Sequence, residues 1–227
     1  MLNFVTTFCL QLDFFRSMGY LTKNLTSNVV QLIAENGLSW NEARKKLLRS
    51  GIAQSVTQLP TDEEIESGLR EYFAIFDPLG HELRLKAMRF TALSWMKRLS
   101  QYSPRLTKGV LNGCADRFSN IYIQLFAENP KELEIALVDL GCEYEVTMPE
   151  RNNPKEPEEI ITFTAPYETR HPDGDEQLAG IVLEVFSEPF NTKRKEQKTP
   201  DSHQTENEAR LSANIEQLEA LLQEKYL

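Results

Sequence analysis

The chain is poor in the residues that most often announce chemistry. It has three cysteines and three histidines in 227 residues. Cys9, Cys114 and Cys142 are odd in number, far apart and without CxxC spacing. That argues against a disulfide framework or a zinc site and points to a reducing, cytoplasmic setting. His81, His171 and His203 are isolated, so no Ser-His-Asp or Cys-His group can be assembled from spacing. No apolar run reaches the length of a membrane span. GxxxxGK[ST], GxGxxG after a strand, and GxSxG are all missing, which removes the P-loop, dinucleotide-fold and hydrolase-elbow readings. No internal repeat is present.

What the chain does have is an ordinary globular balance, 41% hydrophobic and 26% charged residues, enough for a core. Its net charge of −9 is uneven. From Pro149 onward there are 17 acidic and 9 basic residues, against 17 and 16 before it. The low overall pI therefore describes the last third and says nothing about nucleic-acid binding by the rest.

Residues 1–24 read as an N-terminal arm or an upstream extension, with Met18 as the alternative start. The stretch begins apolar but lacks a basic n-region and a cleavage site, so it reads as a poor secretory signal. Residues 25–103 read as a helical region. Thr26 or Ser27 caps a first helix that Gly37 stops. Ser39 with Glu42, and Thr61 with Glu64, form capping boxes that open two more. Asp77-Pro78-Leu79-Gly80 reads as a turn, followed by a helix over 81–100. Two basic clusters stand out. Arg44, Lys45, Lys46 and Arg49 share one, and seven basic residues between His81 and Lys108 face Glu82 alone. Both read as solvated helix faces, with a phosphate-binding surface as the sharper alternative.

Residues 104–190 read as a mixed-sheet core. Strand signals cover 106–111, 121–127, 142–148, 160–164 and 181–186, with a helix from Asn129-Pro130 to Leu140, stopped by Gly141. The loop from Tyr167 to Gln177 carries His171, Asp173, Asp175 and Glu176; it reads as a solvated hairpin loop and not as a metal site. Residues 191–205 have the composition of a disordered linker. Residues 206–227 form an amphipathic helix with Leu211, Ile215, Leu218 and Leu222 as its seam. A helix this short needs a surface to pack on: the body, a second copy in a homodimer, or another partner protein.

The stretch Arg105–Ala127 holds the candidate chemistry. A strand, the Asn112-Gly113 turn and a second strand let backbone N–H groups approach a phosphate. Carboxylates at i and i+2 of the second strand would share one face and hold divalent cations. The bland reading is that Asn112-Gly113 ends a strand and that Ile121, Ile123 and Leu125 are core. Cys114 beside the turn reads as a small buried residue more readily than as a nucleophile.

With Asn112-Gly113 followed by Ser119-Asn120-Ile121-Tyr122-Ile123, the stretch resembles the nucleotidyltransferase fold, in which a Gly-Ser turn precedes an Asp-hydrophobic-Asp pair. The resemblance spans about Leu83 to Phe186. It implies an α/β (α+β) mixed sheet preceded by helices, with Asn112, Gly113, Ser119 and Asn120 contacting a nucleotide. The metal-ligand positions fall on Asn120 and Tyr122, neither of them acidic, which implies a catalytically degenerate member binding a nucleotide or RNA phosphate. Asp116, Glu128 and Glu184 are the acids through which an active transferase would work, and Mg2+ is expected only in that case. The second expectation, from a different class, is an interaction module using the basic helices and residues 206–227.

Overall fold

The protein is described from a computed structural model that covers residues 25–149, 156–174, 177–187 and 212–226. The N-terminal arm, Met18, His203, the linker over 191–205 and most of the acidic loop after Pro149 lie outside the described residues. The chain forms two compact units, Met1–Pro78 and Leu79–Leu227.

The first unit is helical. Residues 25–36 form α1, Trp40–Arg49 α2 and Asp62–Phe76 α3. Both expected capping boxes are present, with reciprocal bonds between Ser39 and Glu42 and between Thr61 and Glu64. The start of α1 differs from expectation: residue 25 is already helical, so Thr26 and Ser27 lie inside the helix. Val29, Val30 and Ile33 of α1 are buried with Ala43 and Leu47 of α2 and Ile65, Leu69 and Phe73 of α3. α1 and α3 meet closely at Gly68, where an added Cβ would stand 2.7 Å from Val30 Cγ2. The Tyr72 hydroxyl donates to Glu35 across the same pair, at 3.0 Å. Arg44 bonds the Pro60 carbonyl and Asp62, so one member of the first basic cluster ties the α2–α3 connection together.

The second unit is a mixed α/β body, as the sequence led one to expect, with a sheet of six strands; the sixth, at Ser212–Ala213, falls in the stretch read as part of the terminal helix. Its helices are α4 (Pro78–Arg98), α5 (Lys108–Asn112), α6 (Pro130–Asp139) and α7 (Ile215–Tyr226). Its strands are β1 (Arg105–Thr107), β2 (Ile121–Phe126), β3 (Tyr144–Thr147), β4 (Glu159–Pro166), β5 (Leu178–Phe186) and β6 (Ser212–Ala213). The order across the sheet is β3-β4-β5-β2-β1-β6. Every neighbouring pair is antiparallel except β2 with β5, which is parallel. α6 and the β3–β4 hairpin supply the crossover such a pair needs.

Several boundaries correct the sequence reading. Asp77-Pro78-Leu79-Gly80 is no turn between helices: α4 starts at Pro78, because proline in a first helical turn forfeits no hydrogen bond. The run 106–111 is not one strand. β1 stops at Thr107, and Lys108 takes a left-handed backbone (φ 60°) that ends the extended chain and opens α5. Asn112-Gly113 is thus the end of a short helix, with Gly113 at φ 83° as its cap. Strands β4 and β5 are longer than their signals, and β3 shorter.

Alternation gives the sheet two distinct faces. Leu106, Ile121, Ile123, Leu125, Ile161, Phe163, Ile181, Leu183 and Val185 point into the core, where they meet Met88, Ala92, Trp95 and Met96 of α4 and Leu133 and Leu137 of α6. α7 joins this core through Leu218 and Leu222, both buried. Its apolar seam is therefore occupied by the body of its own chain, the first of the three surfaces the sequence left open. Ile135 of α6 and Leu140, which caps it, are exposed.

The basic residues of α4 form a solvated face only in part: Lys97 and Arg98 are exposed. Arg84 and Arg89 are buried. Arg84 pairs with Asp173 at 3.3 Å, Lys97 with Glu219 at 2.6 Å and Arg98 with Glu168 at 3.2 Å. Arg89 donates to the carbonyls of Val110 (2.9 Å) and Leu111 (3.1 Å) and to the Tyr226 hydroxyl (3.2 Å). These cations fasten α5, α7 and the β4–β5 loop to α4. The sequence showed the charges but not their partners, which lie up to 137 residues away.

Candidate functional site

The opposite face of the sheet is half-buried and polar. Register places Thr107, Tyr122, Val182 and Thr162 across it in one row, and Arg105, Gln124, Glu184 and Ile160 in the next. Asn120, one residue before β2, lies over Gly180 of β5: a Cβ there would stand 2.2 Å from Asn120 Oδ1. Any side chain at position 180 would have to displace that carboxamide. The end of the sheet at Asn120 and Gly180 opens into a groove of about 580 Å3, walled further by Glu143, Glu145, Thr162 and Thr164.

Lys108 sits on this face. Its left-handed backbone is uncommon outside glycine, asparagine and aspartate. That conformation carries its Nζ to 3.6 Å from the centre of the Tyr122 ring and 2.5 Å from Glu184 Oε1. The other Glu184 oxygen accepts from Gln124 Nε2 at 3.3 Å. The Lys108 side chain remains 47% exposed, that of Glu184 only 13%. The cluster is thus a half-sunk carboxylate, satisfied on both oxygens, under an accessible ammonium that also lies on an aromatic ring.

The short helix α5 that Lys108 opens is shaped by packing. Gly109 lies against the backbone of Ala115, 3.2 Å from where a Cβ would be, and its carbonyl accepts the N–H groups of Gly113, Cys114 and Ala115, each at 3.0 Å. The two glycines flanking Val110-Leu111-Asn112 were the available signal for a helix here in place of a strand.

The residues singled out from sequence fall in different places. Asn120, Tyr122 and Glu184 share the open face in successive rows, Glu184 one row further along the sheet than Tyr122 and two further than Asn120. Ser119 and Asp116 are bonded to each other: Ser119 Oγ donates to Asp116 Oδ1 at 2.7 Å, and that oxygen also accepts the Phe118 N–H at 2.8 Å. Asp116 is buried and holds the 116–119 turn in shape. Asn112 Oδ1 accepts the Cys114 N–H at 3.3 Å and lies 2.9 Å from its sulfur. The Gly113 N–H is bonded within α5, and the neighbouring carbonyls are covered by Arg89. Glu128 is exposed beyond the far end of β2 from Asn120. Cys114 is buried. Lys108 had been counted only as one of a run of basic residues; nothing in its immediate sequence marks a left-handed lysine.

His81 Nε2 lies 3.1 Å from the Ala115 carbonyl. The loop after β4 departs from expectation. His171 is buried and stacked on Tyr167, with ring centres 4.4 Å apart, and Asp173 is paired with Arg84. It is a docked loop, because Glu168 and Asp173 have arginine partners on α4; Asp175 and Glu176 lie outside the described residues. Burial holds the His171 imidazole below its ordinary value; Asp173 pulls the other way and Arg84 adds to the lowering. Among the described residues no group of three or more His, Cys, Asp or Glu is placed to hold a metal ion. Nor is any helix among them long and apolar enough to cross a membrane.

No protein-family model matches the chain, and no curated protein or solved structure does either.

Proposed function

We propose that the open face around Lys108, Asn120, Tyr122 and Glu184 binds the phosphate of a nucleotide or of nucleic acid, in a nucleotidyltransferase-like protein that transfers nothing. The observation that carries this reading is the left-handed lysine. Such a backbone costs a non-glycine residue about 1–3 kcal/mol, and strain of this kind concentrates at ligand sites. Here it presents an ammonium over the Tyr122 ring, and Tyr122 stands two residues along the chain from Asn120, which lines the groove.

A phosphate oxygen would take the Lys108 ammonium in exchange for Glu184, which keeps its bond from Gln124. The Asn120 amide is a second donor, and the Tyr122 ring, once the ammonium moves off it, is a surface for a base. A magnesium site does not fit these residues. Asn120, Tyr122 and Glu184 offer one carboxylate, and that one is already matched by an ammonium, whereas magnesium favours carboxylate oxygens together with substrate phosphates. The binding proposed is therefore independent of divalent metal.

Calorimetry with nucleoside triphosphates and with a single-stranded oligonucleotide, in magnesium and in EDTA, is the test. Binding that survives EDTA and weakens at least tenfold in Lys108→Ala is the expected result. No heat at millimolar nucleotide and micromolar oligonucleotide would remove the reading.

A further inference from the structure

Helix α6 buries one side and leaves the other bare. Leu133 and Leu137 point into the core, while Ile135 and Val138 are 62% and 60% exposed. The two lie one turn apart on the outward side, where a surface helix ordinarily carries polar residues. The apolar surface continues past the helix. The Tyr144 hydroxyl donates to Glu134 at 3.3 Å, which sets β3 beside α6, and Val146 further along that strand is exposed as well.

The charges at the two ends of this side are placed the wrong way for the helix itself. Anions are favoured at a helix N-terminus and cations at its C-terminus. α6 instead has Lys131 in its first turn and Asp139 as its last residue, with no basic residue in the last turn. Lys131 answers this locally through Glu134, at 2.5 Å. Asp139 is exposed and makes no ion pair among the described residues.

We propose that this side of α6 pairs antiparallel with the same side of a second copy of the chain, the two-fold axis passing at Ile135. Lys131 and Asp139 lie four residues to either side of Ile135. The axis therefore sets each lysine against the aspartate of the other copy, twice per dimer. Each helix end then receives from the second copy the charge that its dipole favours. Ile135 packs on its own copy, with Val138 alongside. A parallel pair would oppose like charges instead. Two other routes to a dimer are blocked. β3 is an edge strand, but Glu143 and Glu145 stand on its open face, and joining two such edges would crowd four carboxylates together. The seam of α7 is covered by its own chain. One ten-residue helix per chain makes a small contact, at the weak end of specific interfaces. The dimer accordingly forms at high micromolar concentration and dissociates on dilution. The inference does not depend on what binds at Lys108.

Sedimentation equilibrium of the full-length protein, from low micromolar to near-millimolar concentration, is the test. The average mass of the parent is expected to rise from one chain towards two. Ile135→Lys should stay monomeric throughout, with a thermal unfolding midpoint within a few degrees of the parent's, because the position is exposed. Lys131→Glu and Asp139→Lys should each weaken the dimer about tenfold, since each turns two attractions per dimer into repulsions. Combined in one chain they should restore it. Asp139→Lys also gives its own helix end the favoured charge, so it should weaken the dimer with no loss of monomer stability. A parent that stays monomeric throughout would leave this side of α6 to a different protein. That result, a dimer unchanged by Ile135→Lys, or charge reversals whose combination fails to restore association would each overturn the proposal.

Discussion

Lys108 is the residue on which the functional account turns, and its strain can be separated from its charge. Lys108→Gly removes a left-handed penalty of about 1 kcal/mol or more and gives up a half-exposed ion pair that is worth at most about 1 kcal/mol. The expected outcome is an unfolding midpoint equal to or above the parent's, with nucleotide binding weakened at least tenfold. A matching loss of stability and binding would make the lysine structural. Gly180→Ala probes the same face from below. Its Cβ collides with the Asn120 carboxamide, which is exposed and can swing aside. The variant should therefore fold with a loss under about 1.5 kcal/mol, measured by chemical denaturation, and bind nucleotide more weakly. At this scale the sequence was partly legible. Period-two alternation put Asn120 and Tyr122 on one face, and the family resemblance brought Glu184 into consideration. It could not show Lys108, because a backbone conformation forced by the packing of Gly109 on Ala115 leaves no side-chain pattern.

At the scale of elements, local rules read well and long-range charge did not. The capping boxes at Ser39 and Thr61 and the Asn129-Pro130 helix start follow from three or four neighbouring residues, and all three formed. The run 106–111 was misread because apolar alternation cannot tell a short strand from a strand followed by one helical turn. The basic residues of α4 were misread for another reason: their partners are carbonyls of α5, a tyrosine of α7 and acids of the β4–β5 loop, and nothing local encodes that. Arg89 is the clearest case, at 1% exposure with three acceptors. Arg89→Met leaves two carbonyls and a hydroxyl without their donor and should cost about 3 kcal/mol or more. Denaturant melts would show it, and hydrogen exchange should show α5 and α7 losing protection before the central strands.

For the whole molecule, the sequence made the class of the fold legible, an α/β chain with a mixed sheet, because strand and helix periods alternate clearly from Pro104 onward. It did not reveal the packing of α7, whose seam of Leu218 and Leu222 would suit a partner as well as it suits the core. The global pH response carries a signature of the docked loop. The folded pKa of His171 is depressed by burial, so the unfolded chain binds more protons as pH drops below about 6.5, the ordinary histidine value. Stability attributable to this site is complete above that pH and is lost as pH falls toward the lower folded value. Asp173, Arg84 and the Tyr167 ring are the groups that face it. Comparing the parent with His171→Gln by denaturation between pH 8 and pH 5, the parent's advantage should shrink below about pH 6.5; a constant difference would contradict a buried neutral imidazole.

The central claim is that the open sheet face, with Asn120 and Tyr122 where the resemblance expects metal-holding acids and Lys108 over the Tyr122 ring, binds phosphate. Isothermal calorimetry of the full chain with a nucleoside triphosphate in EDTA, set beside Lys108→Gly under the same conditions, tests it most directly. The account predicts saturable heat for the parent and at least a tenfold weaker response for a variant that is equally stable. No binding by the parent, or equal binding by both, would contradict it.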